Sequence, residues 1–495
     1  MKKALSVILS VFLIIGATAC GRLSRDDSTV NMVSSQGEVY LSRTESDSVY
    51  GVEAPDAQAS ILLDQAEQSS SESEPMPSSS AKEVSASSAT AAVPQPQASS
   101  AASESQAKEA AAKPVSSEAA SSAQEVSRTE VLSARPVSGE MRGVWMSYIT
   151  LEPLVKNKTK AQFTANIDAA FGKIADFGCN TVFVQVRPFA DALYKSSYFP
   201  WSLYLTDTEG QNPGYDPLAI MCGLADAHGL RIEAWINPYR VRTSKEPMSA
   251  DNQAKKWLDS GNDSVIEWNG GIYYNPGSEQ ARKLIVNGVK EIVSNYNVDG
   301  IHFDDYFYPT TDMSFDKATY KASGSGKTQA DWRRENVNIL VRDVYAAVKS
   351  INSSCVFGIS PQGNTKNNYD GQFIDCAKWL SNSGYVDYIC PQIYYGYDNS
   401  TNPYSATVSK WNSMIKTSGI KLYVGVAAYK LGLTDEWAGE GKNEWLDTND
   451  ILANMVVTAR EASHYGGVAF YSYESLFAQN TSQIKSERAS LKELF

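Results

Sequence analysis

Histidine is scarce in this chain: His228, His302 and His464 are the only three among 495 residues. They stand far apart, with no HExxH or paired-His spacing, so no zinc hydrolase motif is present. Six cysteines occur without a CxxC pair, which argues against both a zinc knuckle and a full disulfide framework. A GxSxG elbow is missing, and with it the usual sign of an α/β-hydrolase triad. No GxGxxG or GxxxxGK[ST] loop follows the first strand, so the common nucleotide-binding sheets lose their support. Lys and Arg never cluster, and the formal charge is −12. Nucleic acid is therefore not an expected partner, because neutralising phosphates takes grouped cations.

Aromatic residues are missing from one long region. Residues 21–135 hold no Trp or Phe and only Tyr40 and Tyr50, while 28 Ser and 20 Ala fill much of the stretch. Such a segment cannot bury enough apolar surface to offset its chain entropy. It reads as a disordered linker of roughly 60 Å root-mean-square span, at ~5–6 Å times the square root of residue number. With 8 basic and 17 acidic residues it carries −9 of the net charge. The charge thus says little about what the folded part binds.

Only one long apolar run precedes the linker. Lys2 and Lys3 lead into Ala4–Ile15 and then small residues, the pattern of an export signal too short to be a spanning helix. Ala17-Thr18-Ala19-Cys20-Gly21 resembles a bacterial lipobox, which implies lipidation of Cys20 and attachment to a membrane. The expected organisation is a lipoprotein signal peptide over 1–20, the linker over 21–135 and a folded domain over 136–495. The expected location is the cell membrane, facing the wall or the outside.

The folded part alternates strand and helix signals. β-rich runs fall at 142–149, 181–188, 231–238, 300–306, 356–361, 388–395, 422–429 and 468–473. Apolar residues between them recur at helical steps, as in Ile167, Phe171, Ile174 and Phe177. Leu284, Val289, Ile292 and Val293 do the same, as do Val337, Leu340, Val341, Val344 and Val348. Eight such units predict an α/β fold of the (β/α)8 TIM barrel type, whose site lies at the C-terminal ends of its strands.

Chemistry-bearing residues gather at those ends. The fourth run reads Asp299-Gly300-Ile301-His302-Phe303-Asp304-Asp305-Tyr306. Adjacent carboxylates raise one another's proton affinity, so one can stay protonated and act as a general acid. Glycosidic cleavage needs such an acid and a second carboxylate. Neighbours on a strand point to opposite faces, so Asp304 and Asp305 are expected to have different tasks. Asp305, nearer the loop, is the first expectation for the acid, with Asp304 orienting it or stabilising positive charge. Glu233 or Glu474 is the candidate for a third role. Glu233 and Arg187 also admit a plainer reading, as a buried salt bridge between neighbouring strands. A metal site is not expected, since no wider acidic cluster surrounds the pair. Aromatic and amide groups at the other tips fit a sugar site, where rings stack on sugar faces and amides meet hydroxyls.

Several motifs in order then point to a family. Met141-Arg142-Gly143-Val144-Trp145, Val184-Gln185-Val186-Arg187-Pro188, Ala234-Trp235-Ile236-Asn237-Pro238-Tyr239-Arg240 and the Asp299–Tyr306 segment together resemble the bacterial glycosyl hydrolase-like 10 family. Tyr274-Asn275-Pro276-Gly277 and Pro391-Gln392-Ile393-Tyr394-Tyr395 extend the match. The resemblance implies a TIM barrel, export and glycoside hydrolysis without a cofactor. Some relatives are understood to act on peptidoglycan strands stripped of peptides. Carried over by motif, Asp304 and Asp305 are catalytic, while Arg187, Asp191, Asn237, Gln392 and Tyr394 line the cleft. Tyr194, Trp235, Tyr239, His302, Tyr306 and Glu474 complete the expected substrate-binding set. Glu233 stands where His is expected in many relatives, and Asn275 where Asp is common. The expected partner is a carbohydrate, with a cell-wall glycan foremost. A non-catalytic glycan-binding lipoprotein and a hydrolase of an extracellular polysaccharide remain alternatives.

Overall fold

The computed structural model describes residues 31–35, 38–42, 138–243 and 247–495. The signal segment, Cys20 and most of the stretch read as linker lie outside the described residues. Within that stretch, Asn31–Ser35 and Glu38–Ser42 pair as two antiparallel strands.

Eight parallel strands close into a barrel: β1 Met141–Met146, β2 Thr181–Arg187, β3 Arg231–Ile236, β4 Gly300–Phe303, β5 Val356–Ile359, β6 Tyr388–Ile389, β7 Lys421–Ala427 and β8 Tyr465–Tyr471. Each pairs with its sequence neighbour, and β8 pairs with β1 to close the ring. The main helices that follow them are α1 Lys160–Phe177, α2 Pro217–Ala227, α3 Glu279–Asn295, α4 Gln329–Ile351, α5 Cys376–Ser381, α6 Tyr404–Met414, α7 Ile451–Arg460 and α8 Ser482–Leu494. This is the predicted (β/α)8 barrel.

Local chemistry explains the elements and their ends. In α1 the expected stripe is buried, and Thr159 and Gln162 form a capping box at its start. In α4 all five expected apolar positions are buried. In α3 the buried stripe is Ile285, Val289, Ile292 and Val293, so Ile285 replaces the expected Leu284. Strand β1 stops three residues early because the Ser147 hydroxyl accepts from Thr150 N–H and starts a short helix, Tyr148–Val155. Strand β6 is only two residues long because Pro391 has no N–H to donate. The chain nevertheless stays beside β5, with Gln392 N–H donating to the Pro361 carbonyl at 2.8 Å. All five cysteines of the barrel domain are free and buried.

The barrel interior is filled by a few large side chains set against glycines. Trp145 on β1, Phe183 on β2, His302 on β4 and Tyr388 on β6 contact one another across non-adjacent strands, which is possible only through the interior. Gly300 and Gly358 make the room: a Cβ on Gly300 would stand 2.7 Å from Glu233 Cδ, and one on Gly358 only 2.0 Å from the Tyr388 ring. Gly358→Ala is therefore expected to destabilise the fold by about 1–3 kcal/mol through overpacking. Gly223, exposed on α2 with open space around it, provides the contrast. Gly223→Ala is expected to stabilise by about 0.4–1 kcal/mol, because alanine restricts the unfolded chain and suits a helix. Urea denaturation of the two variants measures both signs.

Candidate active site

Strand β4 ends at Phe303, so Asp304 and Asp305 stand just past its tip on the C-terminal face of the barrel. Both are almost fully buried, at 3% and 1% exposure. Their surroundings differ. Asp304 sits above the barrel interior, where its Oδ2 accepts from Trp235 Nε1 at 3.0 Å and its Oδ1 from Tyr306 N–H at 3.1 Å. Burial, and then the neighbouring charge of Asp305, push the Asp304 carboxyl well above the usual carboxylate range. Asp305 instead turns to the tips of β5 and β6. Gln362 and Gln372 donate to its Oδ2 and Gln392 to its Oδ1, each at 3.2 Å. The Gln392 nitrogen also donates to the Ser360 carbonyl at 3.1 Å, which fixes that amide's orientation because a carbonyl only accepts. Three amide donors around one carboxyl group favour its anionic form.

Around this pair stand aromatic rings. Tyr394, Tyr429 and Tyr471 form a triangle with centroids 5.8–6.1 Å apart, and Tyr394 is close enough to Asp305 to feel its charge. The Arg240 guanidinium lies 4.1 Å over the half-exposed Tyr306 ring and also acts on Asp304. Glu474, in the short helix Tyr473–Phe477 after β8, accepts from the Thr150 hydroxyl. Asn237, just past β3, accepts from Gln185 Nε2 at 2.8 Å.

Other expected site residues lie elsewhere. Glu233 pairs in register with Gly300 at the start of β4, four residues below Asp304, or roughly 13 Å of strand at ~3.3 Å per residue. Even inverting hydrolases keep their two carboxyl groups only ~6.5–9.5 Å apart. Glu233 therefore does not join the pair. His302 is fully buried one layer beneath Asp304, with both ring nitrogens bonded. Arg187 points out of the barrel, stacking its guanidinium 4.3 Å over Phe199. Asp191, Tyr194 and Tyr274 are its polar neighbours. Tyr239 also packs outward, edge-on to Phe307. The salt bridge considered for Arg187 and Glu233 does not form, because one side chain leaves the barrel and the other enters it. Glu233 is held instead by the Tyr388 hydroxyl at 2.5 Å, with the Arg231 guanidinium 4.0 Å from its other oxygen.

The residues missing from the expected set are Gln362, Gln372, Arg240, Tyr429 and Tyr471. Gln362 left a readable trace: Pro361-Gln362 ends β5 as Pro391-Gln392 ends β6, and the two glutamines pair as a parallel bridge. Gln372 lies on a loop between short helices and carries no such mark.

The model of the glycosyl hydrolase-like 10 family covers residues 140–440. The chain belongs to that family. Glycosyl hydrolase YngK of Bacillus subtilis (strain 168) is 36% identical over 321 residues, 59% of this chain and 61% of that protein. This chain thus spans about three fifths of the length of that relative. Glycosyl hydrolase DigH of Escherichia coli (strain K12) is 33% identical over 367 residues, 64% of this chain and 82% of that protein. Among solved structures, the PgaB (BpsB) glycoside hydrolase domain from Bordetella bronchiseptica aligns with TM-score 0.48 and 13% identity over 71% of this chain and 99% of that one.

Asp304 carries a consequence for stability. Below about pH 3.9 the group is protonated in the folded and unfolded chains alike. At higher pH the unfolded chain releases a proton that the folded one retains, which favours unfolding. Asp304→Asn is therefore expected to gain stability relative to wild type between pH 3 and pH 7. Thermal denaturation at the two pH values reads this change, and a difference independent of pH contradicts it.

Proposed function

We propose that this protein is an exported, lipid-anchored glycoside hydrolase acting on β-linked glycans of the cell envelope, with peptide-free peptidoglycan strands as the foremost substrate. The observation that carries the reading is the division of labour within the carboxyl pair. Asp304, buried and beside a like charge, keeps its proton where an ordinary carboxylate has lost it. Asp305, ringed by three amide donors, has the surroundings that favour the anionic form. An acid beside a second carboxylate is the equipment that glycosidic cleavage requires. The family and its relatives, named as glycosyl hydrolases, support the class of reaction.

In this scheme Asp304 is the general acid, reversing the order expected from loop proximity. Its proton passes to the glycosidic oxygen as the C–O bond breaks. The Asp305 carboxylate faces the positive charge that develops at the anomeric carbon, to which water then adds, the proton released by that water restoring the Asp304 acid. The Tyr394, Tyr429 and Tyr471 triangle offers ring faces to the sugar. Arg240, lying against Tyr306, is placed to bond hydroxyl or carboxylate groups of the substrate. Lipidation of Cys20 would hold the barrel at the membrane, and the linker would let it reach the wall.

Reducing-end release from purified peptide-free glycan strands tests the reading, with products identified by mass spectrometry. Asp304→Asn and Asp305→Asn are each expected to lower kcat on the order of 10²–10⁴-fold. The alkaline limb of the wild-type profile should lie well above the ordinary carboxylate range, because activity persists until Asp304 loses its proton. A wild type that binds these strands yet releases no reducing ends at any pH refutes the enzymatic reading. Cleavage confined to other polysaccharides refutes the wall as its target.

A further inference from the structure

Beneath the carboxyl pair runs a polar chain that the proposed chemistry does not use. Trp145 Nε1 lies 3.1 Å from His302 Nε2, His302 Nδ1 lies 2.8 Å from the Tyr388 hydroxyl, and that hydroxyl lies 2.5 Å from Glu233 Oε2. All four residues are buried, at 2% exposure or less. Their proton positions follow from valence alone. An indole N–H can only donate, so His302 Nε2 must be the accepting nitrogen. A neutral imidazole then carries its hydrogen on Nδ1 and donates it to the Tyr388 oxygen. The single phenol hydrogen is left for Glu233. Every bond therefore points the same way, from Trp145 toward the carboxyl group. Protonating His302 on Nε2 would set two donors face to face, and burial also lowers its pKa to about 3.

The His302 ring fixed by this chain contacts two indoles. Trp145 is 5.9 Å away, and Trp235 stands perpendicular to it at 6.3 Å. Trp235 is the residue that donates to Asp304. The barrel also makes deliberate room for the chain, with Gly300 against Glu233 and Gly358 against Tyr388.

We infer that Glu233 is a positioning residue: it terminates a one-way hydrogen-bond chain that locks His302 as the neutral Nδ1–H tautomer and so seats Trp235 against the acid Asp304. Glu233 acts through Tyr388 and His302 and touches no substrate. The kinetic part of this inference rests on the glycosidase reading, whereas the tautomer does not.

Nitrogen NMR of ¹⁵N-histidine-labelled protein tests it. His228 and His464 are only partly buried, so a His228→Gln/His464→Gln variant leaves His302 as the sole imidazole. The expected spectrum is one neutral Nδ1–H ring, unchanged from roughly pH 5 to 8, where a free histidine would titrate. Tyr388→Phe keeps the Trp145 donor, so the Nδ1–H tautomer should persist, while loss of the acceptor that holds the ring should lower kcat roughly tenfold with a smaller change in KM, as expected for a misplaced catalytic group. Glu233→Gln should preserve both tautomer and kcat, because its amide oxygen still accepts the phenol hydrogen. An Nε2–H ring in the wild type overturns the inference. So does a Glu233→Gln variant as inactive as Asp304→Asn, which would make Glu233 catalytic. If Tyr388→Phe does not fold, the wild-type spectrum and Glu233→Gln still decide. If the wild type cleaves no glycan, the glycosidase reading fails while the spectrum continues to report on the chain.

Discussion

Two carboxyl groups on consecutive residues, both withdrawn from water, cannot both be charged at modest cost. At the tip of β4 the conflict is resolved by giving each group a different environment. Asp305 receives three glutamine amides from the ends of the next two strands and the loop between them, while Asp304 receives one indole N–H and one backbone N–H. The barrel makes this possible because it delivers strand ends from both sides of β4 to one place. Trp235 arrives on β3, Gln362 just past β5 and Gln392 just past β6. An isolated strand carrying the same dipeptide would leave both groups in water and ionised.

The layer below shows the same preference for satisfied polarity over simple apolar filling. TIM-barrel interiors are usually packed with branched aliphatic side chains. Here Glu233, Tyr388, His302 and Trp145 occupy part of that space, and each hydrogen-bonding group along the line meets a partner. Burial pushes the Glu233 carboxyl up to about 7. Such an interior costs stability compared with an apolar one of equal volume. What it gains is orientation, since a hydrogen-bonded ring cannot turn freely as a packed leucine can rotate or hop. Cost and gain both fall under the residue that contacts the acid.

Much of this architecture could be read in the sequence. The eight strands and the stripes of the longer helices follow from periodicity, and closure follows from the alternation. Asp304 and Asp305 were legible because paired carboxylates at a strand tip demand a reason. Their separate roles were not, since those depend on which neighbours arrive from other strands. Arg187 and Glu233 look alike in sequence, as single charges within β-rich runs. The bulge in the pairing of β2 with β3 between Gln185 and Arg187 breaks the inward–outward alternation, and Arg187 emerges outside while Glu233 stays within. Tyr194 and Tyr239 were expected at the cleft because they follow the ends of β2 and β3, yet both pack into the outer layer. Gln372 sits in a loop without periodicity, where only the folded chain reveals its partner.

The unequal ionisation of the pair is the point on which the mechanism turns. Carbon NMR of protein labelled at the aspartate carboxyl carbons measures it directly, with Asp304→Asn and Asp305→Asn assigning the two signals. At neutral pH the expected spectrum holds Asp304 as the protonated acid and Asp305 as the carboxylate. Two ionised groups at that pH, or a proton resident on Asp305, would contradict the assignment of Asp304 as the acid.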